Sequence, residues 1–367
     1  TIVGNLTGSY FENNNVSSTV IGGTASLAHL RNNSGTIAIN ALAGSSSIDT
    51  IQNWGVTNIV ADLSGSVIQN HANRTPIGGN ATISDVSTYG GTTSIGGNLI
   101  NCNYLENNAT TQVFGNASIS DLRNNTGTTN IGGNATISNV RTYGGTTSIG
   151  GNLINCNNLE NYATTQVSGN ASVASLANYS GSTTIGGTLD AIYVMNSGGQ
   201  QINVTGNATI TNYLENNGTA NFGSASSIAS LFGSGTANFT GTAQIQYRGG
   251  YGTQNFAENS NIWSLYGDGS VTIASGKTLT LSTNYFWGSL SGDGSISKIT
   301  GDTLVLGGSS VDGYLGSTTV NDGALVFDTD VTLVGQVTNN ATLSFTSGSG
   351  LTTLTTGLAG SGATNFA

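Results

Sequence analysis

Apolar residues recur along this chain in short runs at a fixed interval, not at helical spacing. Ile77, Ile95, Val113, Ile131, Ile149, Val167 and Ile185 stand eighteen residues apart. Gly79, Gly97, Gly115, Gly133, Gly151, Gly169 and Gly187 follow them by two positions, and Asn80, Asn98, Asn116, Asn134, Asn152 and Asn170 come one further on. Two positions before the lead residue lie Thr93, Thr111, Thr129, Thr147, Thr165 and Thr183. Further apolar columns sit six and nine residues past it, as in Ile83 and Val86, Ile119 and Leu122, Ile137 and Val140, and Val173 and Leu176. The stretch TYGGTTSIGGNLINCN occupies 88–103 and returns unchanged at 142–157, three such units downstream. In NLINCNYLENN and NLINCNNLENY the apolar spacing slips by one residue, which predicts a bulge in those turns.

Eighteen residues with short apolar stretches divided by Gly and Asn are too few for two helices and fit one coil of a β-solenoid. A leucine-rich repeat has similar length, but its L-x-x-L-x-L-x-x-N signature is absent. The predicted fold is all-β, a right-handed parallel β-helix with coils of about eighteen residues. Stacking like on like at about 4.8 Å per coil makes the Ile and Val column a continuous core, and places the Asn column to form an amide hydrogen-bond ladder. Gly and Asn are expected to supply positive φ at the corners. The regular repeat covers 1–260, and a continuous segment with longer coils covers 261–367, where alternation sharpens in Thr303, Leu304, Val305, Leu306 and Ala324, Leu325, Val326, Phe327.

Composition supports the strands. Among 367 residues there are 55 Gly, one Pro, seven Lys plus Arg and 17 Asp plus Glu, so charged helix formers are scarce. The formal charge of −10 argues against nucleic acid or an anionic membrane as a partner, because both require clustered Lys and Arg. No apolar run is long enough for membrane insertion as a helix, and TIVGNLTGSY has neither a basic nor an apolar leader region, so no retained signal peptide is expected.

Candidate chemistry is sparse. Cys102 and Cys156 hold equivalent places in coils three apart, about 14 Å along the axis, which is too far for a disulfide. Regular Thr arrays raise the thought of an ice-binding face, but the neighbours Ser94, Gln112, Asn130, Ser148, Gln166 and Thr184 vary too much in size to keep it flat. Glu106, Glu160 and Glu215 recur in the same LEN turn and form no cluster, and His29 and His71 have no partners at catalytic or metal-ligand spacing. Gly-Asp-Gly at 267–269 and 292–294 extends into no calcium motif and reads as turns. Most Asn-X-Ser/Thr sequons follow from the repeated corner. Asn108 and Asn217, each with Glu two residues upstream, are the candidate glycosylation sites. No catalytic group, cofactor or metal site is expected.

The order GDGSISKITGDTLVLGG, STTVNDGALVF and VTNNATLSF, over about residues 288–345, resembles the passenger-associated repeat of autotransporter (type V secreted) proteins. Lys298, Leu304, Leu306, Thr318, Thr319, Val320, Gly323 and Leu325 fill the places of that family's pattern, while its usual turn is replaced by SSVDGYLG. GTANF at 218–222 and 235–239 is similar to the repeat regions of large surface autotransporters, including those similar to vacuolating cytotoxin. The resemblance implies a passenger exported to the surface of a Gram-negative bacterium through its own outer-membrane β-barrel, which this chain does not contain. It also implies that the segment helps nucleate folding.

The expected function is a surface-displayed stalk or adhesin whose partners are host-cell or neighbouring-cell surface molecules, or copies of itself. A second reading is a filament or sheath subunit built by end-to-end coil stacking, suggested by coil patterns that run to both ends without polar caps. A carbohydrate-active β-helix enzyme and a pore-forming toxin are weaker, for want of clustered carboxylates and of an insertion segment.

Overall fold

The computed structural model describes residues 1–14, 16–41, 44–307, 314–328, 331–346 and 353–366. Among them there is no helix, and the strands pair in parallel with strands of adjacent coils, the arrangement of a β-solenoid. Contacts group the chain into two compact units. One comprises Thr1–Leu176 with Ser180–Gly187, the other Ala177–Tyr179 with Thr188–Ala367.

A coil of the first unit has one long and one short strand, for example Ala117–Asn124 and Thr128–Ile131. Ala117, Ile119, Leu122 and Asn124 face inward, while Ser120 and Asp121 in succession do not, so the alternation breaks and the strand turns a corner. Each coil thereby buries the three apolar runs seen in the sequence. Register is like on like, with Ile119 opposite Ile137, Leu122 opposite Val140 and Val113 opposite Ile131. Ile77, Ile95, Val113, Ile131, Ile149, Val167 and Ile185 are all at most 1% exposed. The duplicated NLINCN segments do bulge. Register shifts between Leu99 and Cys102 and between Thr136 and Asn139, and Asn101 and Asn155 take φ of 54° and 53°.

One expectation about the corners is corrected. The Asn column forms a ladder, but from side chain to backbone and not from amide to amide. Asn80 Oδ1 accepts the Asn98 N–H at 2.8 Å, Asn98 Oδ1 that of Asn116 at 2.7 Å, and the pattern continues through Asn134, Asn152 and Asn170. Asp62 plays the same part for the Asn80 N–H at 2.7 Å, so the position needs only an acceptor oxygen. Gly and Asn do supply positive φ, at Gly91, Gly145 and Gly181 and at Asn73, Asn101 and Asn155, whereas the glycines that precede the Asn column do not take it. Gly97 is small because a Cβ there would stand 2.5 Å from Asn80 Oδ1 and 2.9 Å from its backbone N. Gly97→Ala is expected to destabilise the first unit by about 1–3 kcal/mol, the usual overpacking cost. Urea denaturation checks this, and an unchanged midpoint would mean that the ladder yields freely.

The Thr column is also corrected. Thr93, Thr111, Thr129, Thr147, Thr165 and Thr183 are fully buried, because residues two apart on a strand share a face and the lead Ile points inward. They form no outer face for ice or anything else.

In the second unit the coil interior changes from Ile to stacked Phe. Phe222, Phe239 and Phe256 are in register, with ring centroids 5.2 Å apart at each step and planes within 10°. The change of texture near 260 falls inside this unit, where Phe256 still pairs with Ile273. Further on, Thr303–Gly307, Ala324–Asp328, Thr342–Phe345 and Ala363–Phe366 pair successively, stacking Phe327, Phe345 and Phe366.

Candidate functional site

Several outward polar side chains are engaged with their equivalents one coil away. Asn221 Nδ2 donates to Asn203 Oδ1, Asn238 to Asn221 and Asn255 to Asn238, each at 2.7 Å, forming the amide ladder expected for a different column. Gln52 donates to Gln69 and Asn158 to Asn139, both at 3.0 Å. Charges pair likewise: Arg141 lies 2.9 Å from Asp121 and 3.4 Å from Glu160.

One region of the second unit is concave and carries outward amides outside these ladders. A groove of about 440 Å³ is lined by Gln244, Gln246, Asn261, Trp263, Thr280 and Ile299, with Ile245 and Ile262 among its walls. A second hollow of about 380 Å³ shares Gln244, Asn261 and Thr280. The strands Ala243–Arg248, Ser260–Leu265 and Thr278–Phe286 carry these residues side by side, with Gln244 opposite Asn261 and Asn261 opposite Thr280. Ile245 and Ile262 point inward, so alternation sends Gln244, Gln246, Asn261 and Trp263 outward. Trp263 is 58% exposed. Among the described residues it has no ring partner and none of the three amides is hydrogen-bonded, although the strand register matches that of the laddered columns. Among the described residues, no ionisable side chain lines the groove. The arrangement can receive a neutral ligand that offers both donors and acceptors and has an apolar face.

The residues singled out from sequence are distributed away from this groove. The Asn and Ile ladders are structural elements of the first unit. Asn108 is half-buried and its Oδ1 accepts from Asn125 Nδ2 at 3.0 Å, while Asn217 Nδ2, the atom a glycan would need, donates to Glu215 at 3.1 Å. His71 is sandwiched between Trp54 at 4.2 Å and Tyr89 at 5.1 Å, and desolvation lowers its pKa. His29 lies 6.5 Å from the Tyr10 ring. Gly267 and Gly292, which open the Gly-Asp-Gly segments, take φ of 101° and 94° as turn residues. Among the described residues, no three His, Cys, Asp or Glu side chains gather closely enough to hold a metal ion. Of the residues carrying the family resemblance, Leu304, Leu306, Val320 and Leu325 are core. Lys298 is buried, donating to the Thr300 carbonyl and, at 3.3 Å, to the Asp322 carbonyl; desolvation lowers its pKa against the opposing charges of Asp302 and Asp322. Residues 309–313 of the SSVDGYLG turn lie outside the described residues.

Cys102 and Cys156 are free, buried thiols, each pushed up to about 12 chiefly by desolvation. Because the thiolate is the nucleophile, neither should react with iodoacetamide at pH 8 in the folded chain, and both should react in denaturant. Rapid labelling of the native protein, read by mass spectrometry, would contradict this environment.

Sequence reasoning missed the buried polar files and the groove. The first had a signal in the Asn that follows Glu in each LEN turn. The second had none within a single coil, since Gln244, Asn261 and Thr280 meet only across coils. No protein-family model, curated protein or solved structure matches the chain.

Proposed function

We propose that this chain is a secreted, surface-displayed passenger of the autotransporter kind and acts as a rigid β-helical adhesin. The observation that carries the reading is the groove around Trp263, where an exposed indole stands beside outward amides that have no hydrogen-bond partner among the described residues. A solenoid whose core is set by nearest-neighbour stacking can vary its outer residues with little cost to the fold, which suits recognition on a strand face. The resemblance of the Lys298 to Leu325 segment to the passenger-associated repeat supports export and display.

The test is adhesion of chain-coated beads to epithelial and bacterial cells, with negative-stain microscopy of the same preparation. Saturable adhesion by dispersed particles is the expected result. Absence of adhesion together with filaments would replace this reading by self-assembly.

A further inference from the structure

We propose that the groove around Trp263 binds an extended, neutral pyranose chain, a β-linked oligosaccharide lying across Gln244, Asn261 and Thr280; this rests on the adhesin reading and names its ligand class. The lining has no charge to meet a uronate, a phosphate or a basic peptide. An extended peptide is also a poor fit. Strand addition requires an unpaired sheet edge, whereas the strands at 243–248 and 260–265 are already paired, and the groove opens on a sheet face.

What the groove offers matches a sugar. Gln244 and Asn261 sit on adjacent parallel strands about 4.8 Å apart, and Thr280 continues the row. Hydroxyls ranged along a pyranose chain both donate and accept, as these unpaired amides require. Trp263 adds an exposed aromatic surface and an indole N–H, the combination that takes the C–H face of a ring while bonding its edge. Trp54, by contrast, is stacked on His71 with planes within 5°. The hollow lies within the size range of small-molecule sites, about 300–1,000 Å³.

The full chain is titrated with cellohexaose, chitohexaose and laminarihexaose, and with hexagalacturonate as the anionic comparison, by calorimetry and tryptophan fluorescence. The expected result is binding of at least one neutral hexamer and none of hexagalacturonate. Affinity should fall at least tenfold in Trp263→Ala and in Gln244→Ala/Asn261→Ala, and be largely kept in Trp263→Tyr. These side chains are exposed, and circular-dichroism melting verifies that the variants fold. No binding of any neutral hexamer, undiminished binding in Trp263→Ala, or equal binding of the anionic hexamer overturns the proposal. Bead adhesion is measured in parallel. Adhesion unaffected by Trp263→Ala, with no sugar bound, removes the ligand and keeps the adhesin; sugar binding without cell adhesion does the reverse.

Discussion

Asn53→Leu is expected to lower the stability of the first unit by about 3–5 kcal/mol, although leucine shares the branched shape of asparagine. The Asn53 amide is completely buried. The two hydrogens of its Nδ2 are shared among four acceptors, the Gly55 carbonyl at 2.7 Å, Thr75 Oγ1 at 2.9 Å, Asn70 Oδ1 at 3.1 Å and the Arg74 carbonyl at 3.1 Å. Its Oδ1 accepts from Thr57 Oγ1 at 2.9 Å and from Asn32 Nδ2 at 3.0 Å. Leucine would strand several of these groups without water, at about 1–3 kcal/mol each and not additively. Urea denaturation with hydrogen exchange at the flanking coils measures the loss. A change under about 1 kcal/mol would mean that the buried Asn and Thr files are incidental to the fold.

Arg248→Met should cost the second unit a comparable amount, about 3–4 kcal/mol. Arg248 is fully buried. Nε donates to Gln254 Oε1 at 2.5 Å, Nη2 to the Gly252 carbonyl at 2.8 Å, and Nη1 to the carbonyls of Tyr266 at 2.9 Å and Gly250 at 3.3 Å. The guanidinium also lies 5.3 Å from the Phe286 ring centroid. Replacing a buried ion pair with apolar groups can be neutral, but here the partners are carbonyl oxygens that methionine leaves unsatisfied. Desolvation pushes the guanidinium down to about 10, with a smaller opposing pull from Asp268, so it stays charged at neutral pH. With the folded value depressed, the charge-burial cost is constant well below it and declines only as pH rises from about 10 towards 12.5. The stability difference between wild type and Arg248→Met should therefore be flat from about pH 5 to 8. A strong slope there, or a more stable variant, would show that the network is not the one described.

The eighteen-residue period, the three apolar runs, the bulge at NLINCN and the inward Ile file were legible because each is a nearest-neighbour property. A strand position recurs at the same place in every coil, and like residues stack on like. The Thr file shows how close the inference came and where it slipped. Its period was read correctly, but its side was not, although two-residue alternation from the buried Ile already placed it inside.

The sequence by itself determined that the chain winds as a parallel β-solenoid and which apolar residues fill it, since period and alternation are one-dimensional patterns with few structural solutions. Only the tertiary structure decided how polar groups are satisfied. Whether an Asn bonds to a backbone N–H, as Asn98 does, to other amides inside the coil, as Asn53 does, or to nothing, as Asn261 does, depends on atoms one coil away. The need for glycine at 97 comes from the Asn80 side-chain oxygen and backbone N of the neighbouring coil, not from its own φ. The Trp263 groove likewise exists only where strands from successive coils lie side by side, because hydrogen bonds and concavities arise from distances that the linear order does not contain.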